Sequence, residues 1–377
     1  MMFTSLTISG YRGLERFEMS DLGRINLLVG TNNSGKTSVL EAIHLLASRG
    51  DPMALWQLLW RRGEKLTIPF AVASQDRPLR RSQTEIDVCH LFHGHEITPL
   101  AEFRISAENN SMGRRLEFSV VEATPDDQPE LFDAEGEAPL FSRMMIKIDG
   151  SPKPQISQLP ISRYGGVSLD FVEAPNRMLR RRQVQAAPAQ FITTESLGAD
   201  ELMSLWDNVT LTPSEDLVLQ ALRFLEPSIE RVAAQTASMP TLRSAGRGGF
   251  IVKLKGVEQP VPIGSMGDGM WRMLAMAIAL TQCQGGVLLV DEIDTGLHHT
   301  VMANMWRLVF LAARELDVQV FATTHSNDCV FSLATLCQET DSENKVTVQR
   351  IEPHRLRAVP YSQTEIRIAA ERNIEVR

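Results

Sequence analysis

The sequence predicts an α/β fold built around a phosphate-binding loop, and three stretches carry that prediction. Gly30-Thr31-Asn32-Asn33-Ser34-Gly35-Lys36-Thr37-Ser38 joins an apolar run, Ile25 to Val29, to a segment whose Val39, Leu40, Ile43, Leu46 and Ala47 recur at helical spacing. Val287-Leu288-Leu289-Val290 is an unbroken apolar run, the mark of a strand buried on both faces, and it ends in Asp291-Glu292. Val318 to Thr323 is a second such run, and it leads into Thr324-His325-Ser326.

Each stretch implies chemistry. Backbone N–H groups can wrap a phosphate only where side chains do not intrude, and a helix N-terminus adds free donors and the positive end of its dipole. Lys36 then neutralises β- and γ-phosphate oxygens and Thr37 ligates Mg²⁺, with Asn32, Asn33, Ser34, Gly35 and Ser38 completing the ATP-binding loop. Two adjacent carboxylates at the end of a buried strand are costly unless a cation or a water uses them. Asp291 is therefore assigned to Mg²⁺, together with Thr37, and Glu292 to the attacking water. Ligands of open α/β sheets collect at the carboxyl ends of the strands, which puts His325 near the γ-phosphate. Gly264 to Gly269 leads into Met270 to Leu280, apolar nearly all round, and so predicts a second small-residue anion loop opening a buried helix.

The remaining segments follow in order. Phe3 to Ile8 and Arg16 to Leu22 alternate like strands, and Asp51-Pro52 opens a helix with Leu55, Trp56, Leu58, Leu59 and Trp60 on a broad apolar face. From Ser82 to about Asp170 short alternating runs predict an antiparallel β lobe: 85–88, 102–105, 116–121 and 144–148. Thr124 to Pro139 is acidic, a mobile loop or a docking segment for a basic partner. Ser196 to Ala234 reads as a helical subdomain with Leu202, Leu205, Trp206, Leu217, Leu219, Leu222 and Leu225 in amphipathic positions. Phe250 to Lys255 is a strand, as are Val346 to Ile351 and Arg357 to Tyr361, with a helix to close. The expected organisation is residues 1–190 as one half of a head, 191–240 as an inserted helical subdomain and 241–377 as the other half.

Composition narrows the classes. The chain has 377 residues with 43% hydrophobic and 22% charged content, and its N-terminus lacks a signal-like organisation. No apolar run approaches the roughly 20 residues a membrane span needs, so the expected location is cytoplasmic with no membrane partner. A net charge of −8 offers no global attraction to nucleic acid. Basic stretches at 77–81 and 177–182, and Arg243 with Arg247, are either solvated loops or a groove for DNA, RNA or an acidic surface. The four cysteines, Cys89, Cys283, Cys329 and Cys337, form no Cys-x-x-Cys pair and read as reduced thiols. Cys89, His93 and His95 would share one face of a strand with His90 between them, a candidate zinc cluster.

Taken together, the phosphate loop, Ser265-Met266-Gly267-Asp268 before a helix, the apolar strand with Asp291-Glu292, Asp294-Thr295-Gly296-Leu297-His298 and Thr324-His325-Ser326 follow the motif order of ABC-type ATPase heads. Gly10-Tyr11-Arg12-Gly13-Leu14 and the paired Asn32-Asn33 resemble the branch containing RecF, SMC and OLD proteins. The resemblance implies a P-loop NTPase fold, an ABC-ATPase-like head with a mixed sheet, that binds ATP and Mg²⁺ and hydrolyses ATP. It implies a self-assembled dimer or higher oligomer, in which Ser265, Gly267 and Asp268 reach the nucleotide of another subunit. Asp294 becomes the D-loop residue, His325 the switch histidine and Arg12 a phosphate contact. The signature departs from the common Ser-Gly-Gly-Gln. OLD nucleases carry a TOPRIM domain after the ATPase, and with 52 residues after His325 the expectation is a head without one. The resemblance extends to ATPase subunits of PARIS-type and Septu-type anti-phage systems, so the expected partner is a separate effector protein. The alternative is a RecF-like repair factor that binds DNA through Arg80, Arg81 and Arg180 to Arg182, and a third is a non-hydrolysing scaffold.

Overall fold

A computed structural model describes residues 2–72, 79–109, 113–122, 142–149, 155–162, 164–172, 186–235, 249–339, 345–372 and 374–376, without the side chains of 69–83. The acidic stretch at 124–139 and the basic residues 177–182, Arg243 and Arg247 lie outside the described residues, as do Arg77 and the side chains of Arg80 and Arg81.

The first strands are β1 (Ser5–Tyr11), β2 (Leu14–Met19), β3 (Ile25–Val29), β4 (Lys65–Val72), β5 (Leu79–Asp87) and β6 (Glu102–Glu108). Next come β7 (Arg114–Glu122), β8 (Ser142–Asp149), β9 (Gln155–Ile161), β10 (Gly166–Ser168), β11 (Ala189–Ile192) and β12 (Ile229–Ala234). The last are β13 (Phe250–Leu254), β14 (Val261–Pro262), β15 (Val287–Val290), β16 (Gln319–Thr323), β17 (Val346–Arg350) and β18 (Val359–Ser362). The helices are α1 (Lys36–Ala47), α2 (Pro52–Arg61), α3 (Ala199–Asp207), α4 (Pro213–Arg223), α5 (Asp268–Gln282), α6 (His299–Glu315), α7 (Asn327–Glu339) and α8 (Gln363–Glu371).

The chain divides into two compact units. One comprises 1–4, 19–40 and 187–377, the other 5–18 and 41–186. In the first, six strands form a sheet in the order β11-β15-β16-β3-β17-β18, parallel except at the antiparallel edge strand β18. Strands β3, β15 and β16 are buried at every position, as continuous apolar runs covered on both faces must be. Because they run parallel, the loops beginning at Gly30, Asp291 and Thr324 leave the sheet at one edge. Helices α3 to α7 contribute to one core with this sheet, and α5 buries every residue from Met270 to Leu280. A small antiparallel sheet, β12-β13-β14, belongs to the same unit.

The second unit is the predicted β lobe: an antiparallel sheet ordered β2-β1-β6-β7-β8-β9, and a three-stranded one ordered β10-β5-β4. Alternation places Phe103 of β6 and Phe118 of β7 directly opposite each other on the buried face, their rings stacked with centroids 4.4 Å apart.

Two local expectations are corrected. Residues 196–234 do not stay helical, since α3 and α4 are followed by strand β12, whose Ile229 and Val232 are buried against β13 across a bulge. Helical spacing of those two apolar residues and a bulged strand bury the same positions, and pairing with β13 decides between them. Cys89 to Leu91 form a 3₁₀ turn rather than a strand, so Cys89, His93 and His95 do not share a strand face.

The opposite edge of the parallel sheet is tied by buried amides. Asn26 Oδ1 accepts from Gly23 N–H at 2.8 Å and Thr347 Oγ1 at 2.9 Å, while its Nδ2 donates to the carbonyls of Gly23 and Val320. Gln319 likewise accepts from Phe3 N–H and donates to the Phe3 and Gly23 carbonyls. Replacing Asn26 with Leu leaves several buried groups unpaired at about 1–3 kcal/mol each. Urea denaturation is expected to show Asn26→Leu destabilised by about 3 kcal/mol or more; a change within experimental scatter would show the network to be dispensable.

Candidate active site

The phosphate loop is shaped by backbone before side chains matter. Gly30 has φ +146°, and a Cβ there would stand 2.2 Å from the Ile351 carbonyl oxygen, so only glycine fits between β3 and the chain leaving β17. Asn33 at φ 60° and Gly35 at φ 95° take left-handed conformations that curl the loop onto the start of α1. Inside the curl Lys36 is 6% exposed, and its Nζ donates to the carbonyls of Gly30 at 2.9 Å and Thr31 at 2.8 Å. Burial pushes the Lys36 pKa down, against the opposing pull of Asp291 and Glu292. A buried ammonium held by neutral oxygens, at a helix N-terminus, is matched to an arriving polyphosphate.

The two acids follow the end of β15, two strands away from β3 in the sheet. Asp291 Oδ2 accepts from Thr37 Oγ1 at 3.1 Å, and its Oδ1 accepts from Thr323 Oγ1 at 2.6 Å. Thr323 Oγ1 in turn accepts from the Glu292 N–H at 2.7 Å. One buried hydroxyl therefore orients both acids. Glu292 itself has φ 47°, a left-handed conformation that costs a non-glycine residue of order 1–3 kcal/mol and is retained where neighbours over-determine it. Its carboxylate accepts from Thr295 Oγ1 at 3.2 Å. A Mg²⁺ ion with ligands at about 2.0–2.1 Å sets adjacent oxygens about 2.9 Å apart, close to the Thr37–Asp291 separation, so this donor pair fits the ion.

Arg272 touches both acids, and the sequence reading passed over it because it falls in a helix that is otherwise apolar. It is 3% exposed, and its guanidinium donates to the main-chain carbonyls of Asp291 at 2.8 Å and Glu292 at 3.0 Å, and to that of Thr193. Burial lowers its pKa to about 10 while Asp291, Asp294 and Glu292 pull the other way. A charged side chain at a fully buried helical position was the available signal.

The other predicted residues fall in distinct places. Asp294 Oδ1 accepts from Thr324 Oγ1 at 2.6 Å, and the same hydroxyl accepts from Ser326 N–H, linking the segment after β15 to the one after β16. His325, between them, is half-buried. Ser265, Gly267 and Asp268 are exposed at the start of α5, with Gly267 at φ 94°. The following Gly269 lies so close to Gly296 that an added Cβ would be 3.2 Å from its carbonyl oxygen. Asn32 and Asn33 are exposed, and Ser34 buried. Ser38 is half-buried in the first turn of α1. Arg12, in the second unit, is 4% exposed and forked onto Glu64 at 2.7 and 3.1 Å, with Nε 2.9 Å from Glu41. Two carboxylates occupy the guanidinium that the resemblance assigned to a phosphate.

Removing the shared hydroxyl isolates its role. Thr323→Val is expected to lower kcat by about 10–100-fold with ATP affinity retained, the usual scale for a group that orients catalytic ligands. Arg272→Lys keeps a charge but loses the planar fork, and is expected to lower kcat in the same way. Steady-state ATPase assays alongside nucleotide titrations check both; a loss confined to affinity would contradict the assignment.

Comparison with known proteins agrees with this chemistry. Residues 1–128 match the family described as "AAA ATPase domain", and residues 175–328 match that described as "AAA domain, putative AbiEii toxin, Type IV TA system". An ATP/GTP phosphatase of Helicobacter pylori is 20% identical over 365 residues, 90% of each chain. RecF, the DNA replication and repair protein of Pseudomonas savastanoi, is 52% identical over 46 residues, 12% of each chain. Among solved structures, the SMC head domain from Thermotoga maritima aligns with 96% of this chain and 99% of its own at 11% identity and a TM-score of 0.44. Among the described residues no helix is long and apolar enough to cross a membrane. The chain is similar to ATPases: AAA-type ATPase domain families match residues 1–128 and 175–328, and the Helicobacter pylori ATP/GTP phosphatase aligns along nearly its whole length.

Proposed function

We propose that this ATPase closes as a dimer or higher oligomer around ATP and that its cycle gates a separate effector, a nuclease or toxin of a bacterial anti-phage system. The observation that carries the gating reading is Arg272. Helix α5 opens at the exposed Ser265-Gly267-Asp268 surface, and one turn further in, the same helix grips the main chain of both catalytic acids. A subunit docking on that surface acts on a helix already joined to the hydrolytic residues.

In this reading Lys36 neutralises the β- and γ-phosphate oxygens, and the N–H groups at the start of α1 hold them in place. Thr37 and Asp291 hold Mg²⁺, which supplies further charge neutralisation. Glu292 accepts a proton from water as the water oxygen bonds to the γ-phosphorus and the bond to the bridging oxygen breaks, releasing ADP and phosphate. Asp294 and His325 sit where strand ends meet and respond to the γ-phosphate. The effector assignment rests on the family matched by residues 175–328, whose description refers to a toxin system, and on the resemblance to OLD-like defence ATPases. The short RecF match favours a second reading, a DNA-binding repair ATPase, against the net charge of −8.

The deciding experiment is mass determination of wild type and Glu292→Gln, with and without ATP and Mg²⁺, after co-expression with neighbouring genes. Glu292→Gln is expected to hold an ATP-dependent assembly that retains a neighbour's product. A partner-free assembly that binds DNA in an ATP- and salt-dependent manner would favour the second reading. Intrinsic nuclease activity without a partner would overturn the separate-effector proposal.

A further inference from the structure

The second unit holds a cluster of metal-binding side chains that ATP hydrolysis does not use. Strand β5 ends at Asp87, and the chain turns at once through Cys89 to Leu91. Asp87, Cys89 and His90 each offer a ligand atom, and the three atoms lie within 4.8 Å of one another. In a tetrahedral zinc site, bonds of about 2.0–2.3 Å set ligand atoms about 3.3–3.7 Å apart, so small rotations of these half-buried side chains close the difference. His90 Nε2 already stands 3.6 Å from Asp87 Oδ2. The other oxygen, Oδ1, accepts from the Cys89 N–H at 3.0 Å and so fixes the carboxylate, while the Cys89 thiol faces the same group.

The remaining nitrogen of His90 has a partner as well. His95 Nδ1 is 3.3 Å from His90 Nδ1, and the rings meet edge to face. Gly94 at φ 87° and His95 at φ 60° turn the chain back to make that contact. A ligating imidazole is normally oriented through its second nitrogen, and His95 is in place to do this. The scaffold is rigid, because Val88, Leu91 and Phe92 are buried and the Asp87 N–H donates to the Glu64 carbonyl at 2.9 Å. The Leu91 carbonyl accepts from Arg12 N–H, also at 2.9 Å. His93, by contrast, turns its Nδ1 to the Arg12 carbonyl at 2.9 Å and leaves the donor set.

We propose that Asp87, Cys89 and His90 bind one divalent transition-metal ion, with His95 orienting His90 and water filling the fourth position. One sulfur, one imidazole nitrogen and one carboxylate oxygen in tetrahedral reach suit Zn²⁺ better than the oxygen-seeking Mg²⁺ or Ca²⁺. Binding displaces the Cys89 thiol proton to solvent. The ion ties the end of β5 to the turn whose Leu91 carbonyl receives Arg12.

The test uses the full chain, stripped with chelator and titrated with Co²⁺ and Zn²⁺ in the absence of nucleotide. One equivalent of Co²⁺ is expected to produce a thiolate-to-cobalt charge-transfer band, which the sulfur-free Thr37–Asp291 site cannot give, and Zn²⁺ is expected to bleach it. Cys89→Ser should abolish the band, and His95→Gln should weaken binding about 10–100-fold while keeping it. Circular dichroism verifies that each variant is folded, and the wild-type spectrum decides the matter even if a variant is not. Wild type lacking the band, or Cys89→Ser keeping it, would overturn the proposal.

Discussion

A carboxylate at the end of a buried parallel strand is the constraint on which this head depends. Asp291 leaves β15 where the apolar core stops, and it is costly there unless its oxygens are engaged. Two hydroxyls from two other elements engage it: Thr37 at the start of α1 and Thr323 at the end of β16. Those bonds require β16 to lie between β15 and β3, which is the observed strand order. The sheet therefore brings the phosphate loop, Asp291 with Glu292 and the segment bearing His325 to one edge through hydrogen bonds shorter than 3.2 Å.

Glu292 illustrates how the surroundings stabilise an unfavourable local geometry. Its left-handed backbone is held by Thr323 through the N–H, by Arg272 through the carbonyl and by Thr295 through the side chain. With every polar group of the residue restrained, the carboxylate has a defined direction, which a general base requires before it can position water. Because Arg272 lies one turn inside α5, this restraint connects the exposed start of that helix to the main chain of Glu292.

The β lobe follows a different logic. Its sheets are antiparallel, burial alternates along β6 and β7, and its buried ion pairs join Arg12 to Glu41 and Glu64, and Arg62 to Glu41. Removing one partner of a buried pair strands a charge at a cost of about 3–5 kcal/mol, which suits a framework residue rather than a mobile phosphate sensor. The turn beyond β5 is pinned by that framework, and its half-buried Asp87, Cys89 and His90 stand on a fixed base.

The sequence by itself determined the elements whose signal is local. Continuous apolar runs identified β3, β15 and β16, because a strand covered on both faces needs no polar alternation. Glycines at 30 and 35 identified the phosphate loop, because backbone N–H groups must approach an anion unobstructed. Tertiary structure alone decided what depends on pairing. Whether Ile229 and Val232 lie on a helix or a bulged strand rested on a partner, β13, some twenty residues away. Thr323 and Arg272 looked like a strand-end threonine and a stray charge until the fold placed three carbonyls and two acids around them. Their roles arise from hydrogen bonds to groups 19 to 79 positions distant, and no one-dimensional period encodes such contacts.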